Sequence, residues 1–212
     1  MSKEELIKNL IDDQYLKTPI IIEAFKAIDR KDFIPENLKS AAYLNQALPI
    51  GEEQTISQPL TVAFMLELLE PGTGDKILDV GAGSGWQAAL LSYIVSKNDK
   101  EGKGEVISIE RIEFLKQMAE TNIAKYNFLE KGIVKIIHGD GSKGYSQAAP
   151  YDKIIAAASG NILPQAWKEQ VNIGGRIVVP INSSIWVFDK IGDNRFEKKQ
   201  YFGFSFVPLI TE

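Results

Sequence analysis

The chain has 212 residues, 24 of them basic and 28 acidic, with no cysteine and a single histidine, His138. Thiolate nucleophiles, disulfides, iron–sulfur clusters and cysteine-bound or multi-histidine metal centres are thereby excluded, whereas a carboxylate-bound magnesium or calcium site is not. The net charge of −4 argues against a non-specific nucleic-acid binder, and 44% hydrophobic with 25% charged residues is the composition of a soluble globular protein with a sizeable core.

The amino terminus, Met1 to Asp13, alternates charged and apolar residues and lacks the apolar run of a signal peptide, so the expected address is the cytoplasm. Ile7, Leu10 and Ile11 fall on one helical face. Pro19 opens a second helix, Ile20 to Ile28, with Thr18 as its expected cap. Glu52 to Gln58 reads as a polar turn, and a helix from Pro59 to Leu69 is stopped by Pro71-Gly72. Strands then alternate with helices. Lys76–Val80 is a short apolar run ending in glycines, and Trp86, Ala89, Leu90, Tyr93 and Ile94 follow at helical spacing. Val106–Ile109 is a strand, followed by a helix with Leu115, Met118, Ala119 and Ile123 on one face. Further strands are predicted at Ile133–Ile137, Lys153–Ala157 and Gly175–Pro180, with a helix over Asn161–Gln170. Ile185–Ile191 and Gln200–Val207 pair antiparallel around Gly192-Asp193-Asn194. The order implies a single α/β domain over 1–212. It comprises a helical cap with substrate loop (1–70), a doubly wound, mostly parallel Rossmann-like core with helices on both faces (71–182) and antiparallel C-terminal strands (183–212).

The strongest local signal is Asp79-Val80-Gly81-Ala82-Gly83-Ser84-Gly85, placed where an apolar strand ends and an amphipathic helix begins. Glycines let backbone approach a ligand, and the free N–H groups of a helix start are donors. The dinucleotide pattern GxGxxG fails at Trp86, no GxxxxGK[ST] occurs, and GxSxG fails at Ala82. What is left is GxGxG with an acid two residues ahead, which resembles the loop of class I methyltransferases; a glycine turn in another α/β protein has the same local pattern. Two more elements bear on the choice. Glu110 ends the second strand, 31 positions after Asp79, where a carboxylate can accept from both ribose hydroxyls. His138-Gly139-Asp140-Gly141 ends the third, with Asp140 placed to accept from an adenine amino group. His138 itself has no hydrolase partners and is expected to have no catalytic role.

Over nearly its whole length the chain resembles the protein-L-isoaspartate O-methyltransferases. The segments that carry this are Arg30-Lys31-Asp32-Phe33-Ile34-Pro35, Leu48-Pro49-Ile50-Gly51, Gln54-Thr55-Ile56-Ser57-Gln58-Pro59, the glycine loop, Ser108-Ile109-Glu110-Arg111, Gly139-Asp140-Gly141, Gly174–Pro180 and Phe206-Val207-Pro208-Leu209. The resemblance implies methyl transfer from S-adenosylmethionine to the free α-carboxylate of L-isoaspartyl residues, a protein repair reaction. It implies Ser57 as the catalytic residue at the reacting carboxylate. Thr55, Ile56, Val207, Pro208 and Leu209 bind substrate with it. Asp79, Gly81, Gly83, Ser84, Gly85, Glu110, Arg111, Asp140 and Gly141 bind the cofactor, with no metal. The implied partners are isoaspartyl-containing proteins and peptides, met by a monomer without nucleic acid or membrane.

An isoaspartyl carboxylate, with a reference pKa near ~4, needs no general base at neutral pH. The enzyme has to supply alignment and exclusion of water, which a chain poor in cysteine and histidine can do. Several positions depart from the family pattern: Asn45 for aspartate, Glu53 for glycine, Trp86 for tyrosine, Ala88 for threonine, Ala156-Ala157-Ala158-Ser159 for Val-Thr-Ala, and Ser205 for arginine. Asn45, Ala156 and Ser205 motivate one alternative, a methyltransferase with another acceptor; a second is a non-catalytic cofactor-binding adaptor, against which the Thr55-Ile56-Ser57 segment speaks.

Overall fold

The computed structural model describes residues 1–211. A seven-stranded sheet forms its centre, in the order β5-β4-β3-β6-β7-β8-β9. The strands β3 (Lys76–Val80), β4 (Glu105–Glu110), β5 (Val134–His138), β6 (Tyr151–Ala156) and β7 (Val171–Ile181) are parallel; β8 (Ser184–Gly192) and β9 (Arg195–Phe202) close the sheet antiparallel. The central parallel strands are apolar on both faces because both are covered, whereas the edge strand β5 exposes Lys135. Ile77, Val106, Ile155 and Val178 face one core, and their neighbours Leu78, Ile107, Ile154 and Ile177 face the other.

The first core is covered by α3 (Pro59–Leu69), α4 (Trp86–Ser96) and α5 (Glu113–Ala124), with α1 (Lys3–Asp12) and α2 (Pro19–Ala27) packed against them. The second lies under α6 (Gln165–Gln170), whose Trp167 is fully buried. No helix of the described residues is long and apolar enough to cross a membrane. The chain runs from β3 outward to β4 and β5, then returns to β6 on the other side of β3. That reversal opens a crevice at the carboxyl ends of β3, β4 and β6, where doubly wound sheets bind ligands.

Four local expectations change. The polar turn at 52–58 is part of a hairpin, β1 (Leu48–Gly51) with β2 (Gln54–Ile56), so the amino-terminal third is not helical throughout. Thr18 precedes α2 but does not cap it by side chain; its hydroxyl donates to Glu67 on α3 at 2.7 Å and docks the two helices. The helix expected over 161–170 begins only at Gln165, because Pro164 takes the N-cap position and the preceding residues hold bridges to other segments. The last strand is 195–202 rather than 200–207. Beyond it the chain leaves the sheet and runs over the crevice, where the Ser159 N–H donates to the Val207 carbonyl and the Leu209 N–H to the Ser159 carbonyl, both at 2.8 Å.

One glycine sets the distance between the helices beside the crevice. Gly85 has φ +90°, and a Cβ there would sit 3.1 Å from the Ala119 backbone of α5. Alanine has neither the conformation nor the room. Gly85→Ala is expected to lower stability by about 2–3 kcal/mol in urea denaturation, without changing the m-value.

Candidate active site

The crevice leads into a cavity of about 410 Å³ whose two ends are built differently. At one end lies the glycine loop. The N–H groups of Gly81 and Ala82 donate to the Ile109 carbonyl at 2.8 and 3.1 Å, which lays the loop along the end of β4. The Glu110 carboxylate then accepts from the Gly83 N–H at 2.9 Å and the Ile112 N–H at 3.0 Å, one on each oxygen. Glu110 is only 6% exposed, yet it borders the cavity, and each oxygen keeps a second lone pair for a ligand hydroxyl. Ile112 and Leu115 give this end an apolar wall. Gly141 forms another part of it. A Cβ on Gly141 would stand 2.5 Å from Val80 Cγ1, so only glycine lets that turn lie against β3.

The other end is formed by Thr55 of β2, by Ser57 and Gln58 directly after it, by Thr61 on α3 and by Val207 to Ile210 crossing above. Asn45 fixes the start of α3: its Oδ1 accepts from the Leu60 N–H at 3.0 Å, and its carbonyl accepts from the Gln58 side-chain amide. The free N–H groups of a helix start are thus partly satisfied by a side chain from another segment. The Ser57 carbonyl is held from behind by Arg30 at 3.1 Å. One cavity therefore joins an anchored carboxylate to a hydroxyl-lined end, and among the described residues only Glu110 and Arg111 bring charge to its lining.

The model of the protein-L-isoaspartate(D-aspartate) O-methyltransferase family matches residues 1–212. The chain belongs to this family. Protein-L-isoaspartate O-methyltransferases of Methanopyrus kandleri and Ignicoccus hospitalis are 38% and 40% identical to it, over 100% and 99% of this chain and 92% and 98% of theirs. A solved protein-L-isoaspartate O-methyltransferase structure from Plasmodium falciparum, in complex with S-adenosyl-L-homocysteine, has a TM-score of 0.88 with 99% of each chain covered. At 22% identity that likeness speaks for the fold. Another solved structure of that name is 28% identical with a TM-score of 0.85, over 98% of this chain and 65% of that one. The activity expected from the motifs, a protein carboxyl O-methyltransferase dependent on S-adenosylmethionine, is that of this family.

Of the residues singled out in this methyltransferase by sequence, the cavity brings together Thr55, Ser57, Gly81, Gly83, Glu110 and Arg111, and with them Gly141 and Val207 to Leu209. The others stand behind its wall. Ile56 is buried in the core. Asp79 lies beneath the glycine loop, Ser84 is buried and offers its carbonyl to Asn122, and Gly85 packs on α5. Asp140 caps the turn that carries Gly141, accepting from the Ser142 N–H and hydroxyl at 2.9 and 2.6 Å, and the Trp167 indole donates to the Gly141 carbonyl at 2.9 Å. His138 points away, its Nε2 3.0 Å from the Arg111 carbonyl. Lining residues that sequence reasoning did not single out include Thr61, Ile112, Leu115, Ala157, Ala158 and Ile210. Ile112 and Leu115 were within reach of it, at the N-cap and in the first turn of the helix that follows Glu110. Ala157 and Ala158 were visible only as departures from the family pattern, and Thr61 carries no local signal.

Asp79 has no exposed surface. It accepts from Ser108 Oγ and Gln87 Nε2, both at 2.7 Å. Burial outweighs those hydrogen bonds, and the Glu110 charge adds to it, so the Asp79 carboxyl is pushed up to about 6 from an ordinary 3.8. The folded chain thus holds a proton that the unfolded chain releases between about pH 4 and pH 6. The stabilisation from this group is complete below the unfolded value and is lost as pH rises through about 6. In Asp79→Asn that slope should vanish. Denaturation of both proteins between pH 4 and pH 8 should show the parent losing stability relative to the variant up to about pH 6–7 and no further change above.

Proposed function

We propose that this methyltransferase moves the methyl group of S-adenosylmethionine onto the free α-carboxylate of L-isoaspartyl residues in damaged proteins, with Glu110 holding the cofactor and Ser57 aiming the acceptor. The observation that carries the reading is the continuity of one cavity between the Glu110 end and the Ser57 end. The residues at the Glu110 end fit the cofactor. An anchored carboxylate with spare lone pairs suits a ribose diol, the side-chain-free floor at Gly81 and Gly83 admits a bulky group, and Ile112 with Leu115 suits a flat base. When bound, S-adenosylmethionine supplies a methyl group made electrophilic by its sulfonium.

What this chain contributes is placement. The acceptor carboxylate arrives as an anion, so no residue needs to remove a proton, and among the described residues no histidine, lysine or aspartate lines the cavity. Ser57 Oγ donates to one carboxylate oxygen and leaves the other directed along the line of displacement. Holding two reactants in such a geometry is worth up to roughly 7–11 kcal/mol. The apolar residues Phe206 to Ile210 and Ala157-Ala158 keep water from the ion pair. The 207–209 segment has spent one edge on Ser159. The alternation of extended backbone turns the Pro208 carbonyl to the opposite edge, where proline offers an acceptor without an N–H. An acceptor peptide lying there must supply the donor. In this reading the enzyme works as a cytoplasmic monomer, and residues 1–212 are one catalytic unit.

The decisive assay presents radiolabelled S-adenosylmethionine with matched peptides containing isoaspartate or aspartate at one position. Label should enter the isoaspartyl peptide alone; equal labelling, or none, removes the repair assignment. Ser57→Ala should lower kcat roughly 10- to 100-fold, the worth of a hydrogen bond to a charged group, with the affinity for S-adenosylhomocysteine within about threefold of the parent. Glu110→Ala should do the reverse, weakening S-adenosylhomocysteine at least about tenfold by calorimetry.

A further inference from the structure

Arg30 opens a 3₁₀ turn, Arg30–Phe33, and is only 2% exposed. No carboxylate of the described residues pairs with it, and burial draws its guanidinium down to about 10. Its Nη1 donates to the Ala42 carbonyl at 2.6 Å, and its Nη2 to the carbonyls of Gln46 and Ser57 at 3.0 and 3.1 Å. Its guanidinium carbon lies over the Trp86 indole, 5.3 Å from the ring centre. Trp86 is the first residue of α4, directly after Gly85 of the glycine loop. Its ring also meets Phe25 in a T-shaped contact at 5.5 Å.

Burying a cation without a counter-ion costs several kcal/mol, and a well-packed apolar side chain in its place is often neutral or better for stability. A reason other than stability is therefore called for. The three carbonyls come from three segments: the end of the 3₁₀ helix Glu36–Ala41, the turn before β1, and the loop after β2. A guanidinium is a rigid planar fork that stacks on an indole and holds several acceptors at fixed angles; an ammonium does neither. Arg30's own segment is fixed to α5. The Asp29 N–H donates to Tyr126 Oη at 2.8 Å, Tyr126 Oη donates to Asp32 at 2.7 Å, and Lys125 Nζ donates to the Asp32 carbonyl at 2.6 Å. Asp29 and Asp32 are thus engaged with Tyr43 and Tyr126 rather than with the arginine.

We propose that Arg30 is a positioning residue for methyl transfer: by holding the Ser57 carbonyl while stacked on Trp86, it fixes the acceptor hydroxyl relative to the glycine loop. The inference rests on the role given to Ser57 above. A displacement of about 1 Å at a reacting centre costs on the order of a hundredfold in rate, so a clamp of this kind acts on kcat.

The test compares the parent with Arg30→Lys, Arg30→Gln, Ser57→Ala and the double variant Ser57→Ala/Arg30→Lys. It measures kcat and KM on an isoaspartyl peptide, S-adenosylhomocysteine affinity by calorimetry, and Tm. Arg30→Lys should lower kcat about 10- to 100-fold, with KM and S-adenosylhomocysteine affinity within about threefold of the parent. In the Ser57→Ala background the same change should cost less than about threefold, because there is no hydroxyl left to misplace. Folded Arg30→Lys or Arg30→Gln with unchanged kcat would overturn the proposal. So would a double variant showing the full product of the two single losses, or a loss confined to cofactor affinity. Failure of both arginine variants to fold makes the residue structural and overturns it as well. If Ser57→Ala alone leaves kcat intact, the Ser57 reading falls; if it impairs kcat while Arg30→Lys adds its full loss, only the Arg30 proposal does.

Discussion

A carboxylate with no access to water sits directly beneath the glycine loop, and the loop's shape depends on it. Asp79, the last residue but one of β3, stands opposite Ser108 in the β3–β4 register, and it accepts from Ser108 on one oxygen and from Gln87 of α4 on the other. Two strands and the helix that follows the loop are thereby tied to a single side chain. Between these fixed points residues 81–85 have little choice of path. Gly81 and Ala82 reach the Ile109 carbonyl, Gly83 reaches Glu110, and the turn closes with the Gly85 N–H on the Ala82 carbonyl at 2.8 Å. The result is a cavity floor of bare backbone beside one anchored carboxylate.

The acceptor end is built on the same plan with the opposite charge. There a buried guanidinium gathers carbonyls, as the buried carboxylate gathers donors beneath the glycine loop. Both ions stand behind the wall, Arg30 holding backbone carbonyls directly and Asp79 holding the Ser108 and Gln87 side chains of the strand and helix that flank the loop. Rigid backbone held from behind is what a positioning reaction requires, since rotamer-rich side chains in the cavity would have to be ordered at each encounter. The two supports also meet: Trp86 stacks on Arg30, and Gln87, the next residue of α4, donates to Asp79. The first turn of α4 links the acceptor loop to the glycine loop.

The sheet and the glycine loop were legible in the sequence for a plain reason. Parallel strands covered on both faces are continuous apolar runs, and Lys76–Val80 and the helix Pro59–Leu69 have the predicted bounds. The β1–β2 hairpin was not legible, because its turn is made by Glu52 and Glu53 at φ +51° and +57°, where asparagine or glycine is the usual sign. The crossing of the tail over the site depends on a bridge between Ser159 and Pro208, far apart in the chain, to which no periodicity points. Arg30 was visible as part of a family segment, but its partners lie 12, 16 and 27 residues away as backbone carbonyls. Side-chain identity at those partners leaves no trace of the contact.

The positions that depart from the family pattern can be judged by what each side chain does. Asn45 keeps the oxygen that the Leu60 N–H needs, so the helix start is satisfied as an aspartate would satisfy it, without the added charge at the positive end of α3. Glu53 occupies a left-handed conformation that glycine would take without strain, so its cost falls on the hairpin and not on the cavity wall, of which it forms no part. Ser205 does line the cavity, and with serine there instead of arginine the only cation among the described residues of the wall is Arg111, next in the chain to Glu110. On the function proposed above, an anionic acceptor meets little net attraction from this wall, and we therefore assign its recognition to short-range hydrogen bonds from the hydroxyl-bearing loop and to the fit of its backbone beneath residues 207–209.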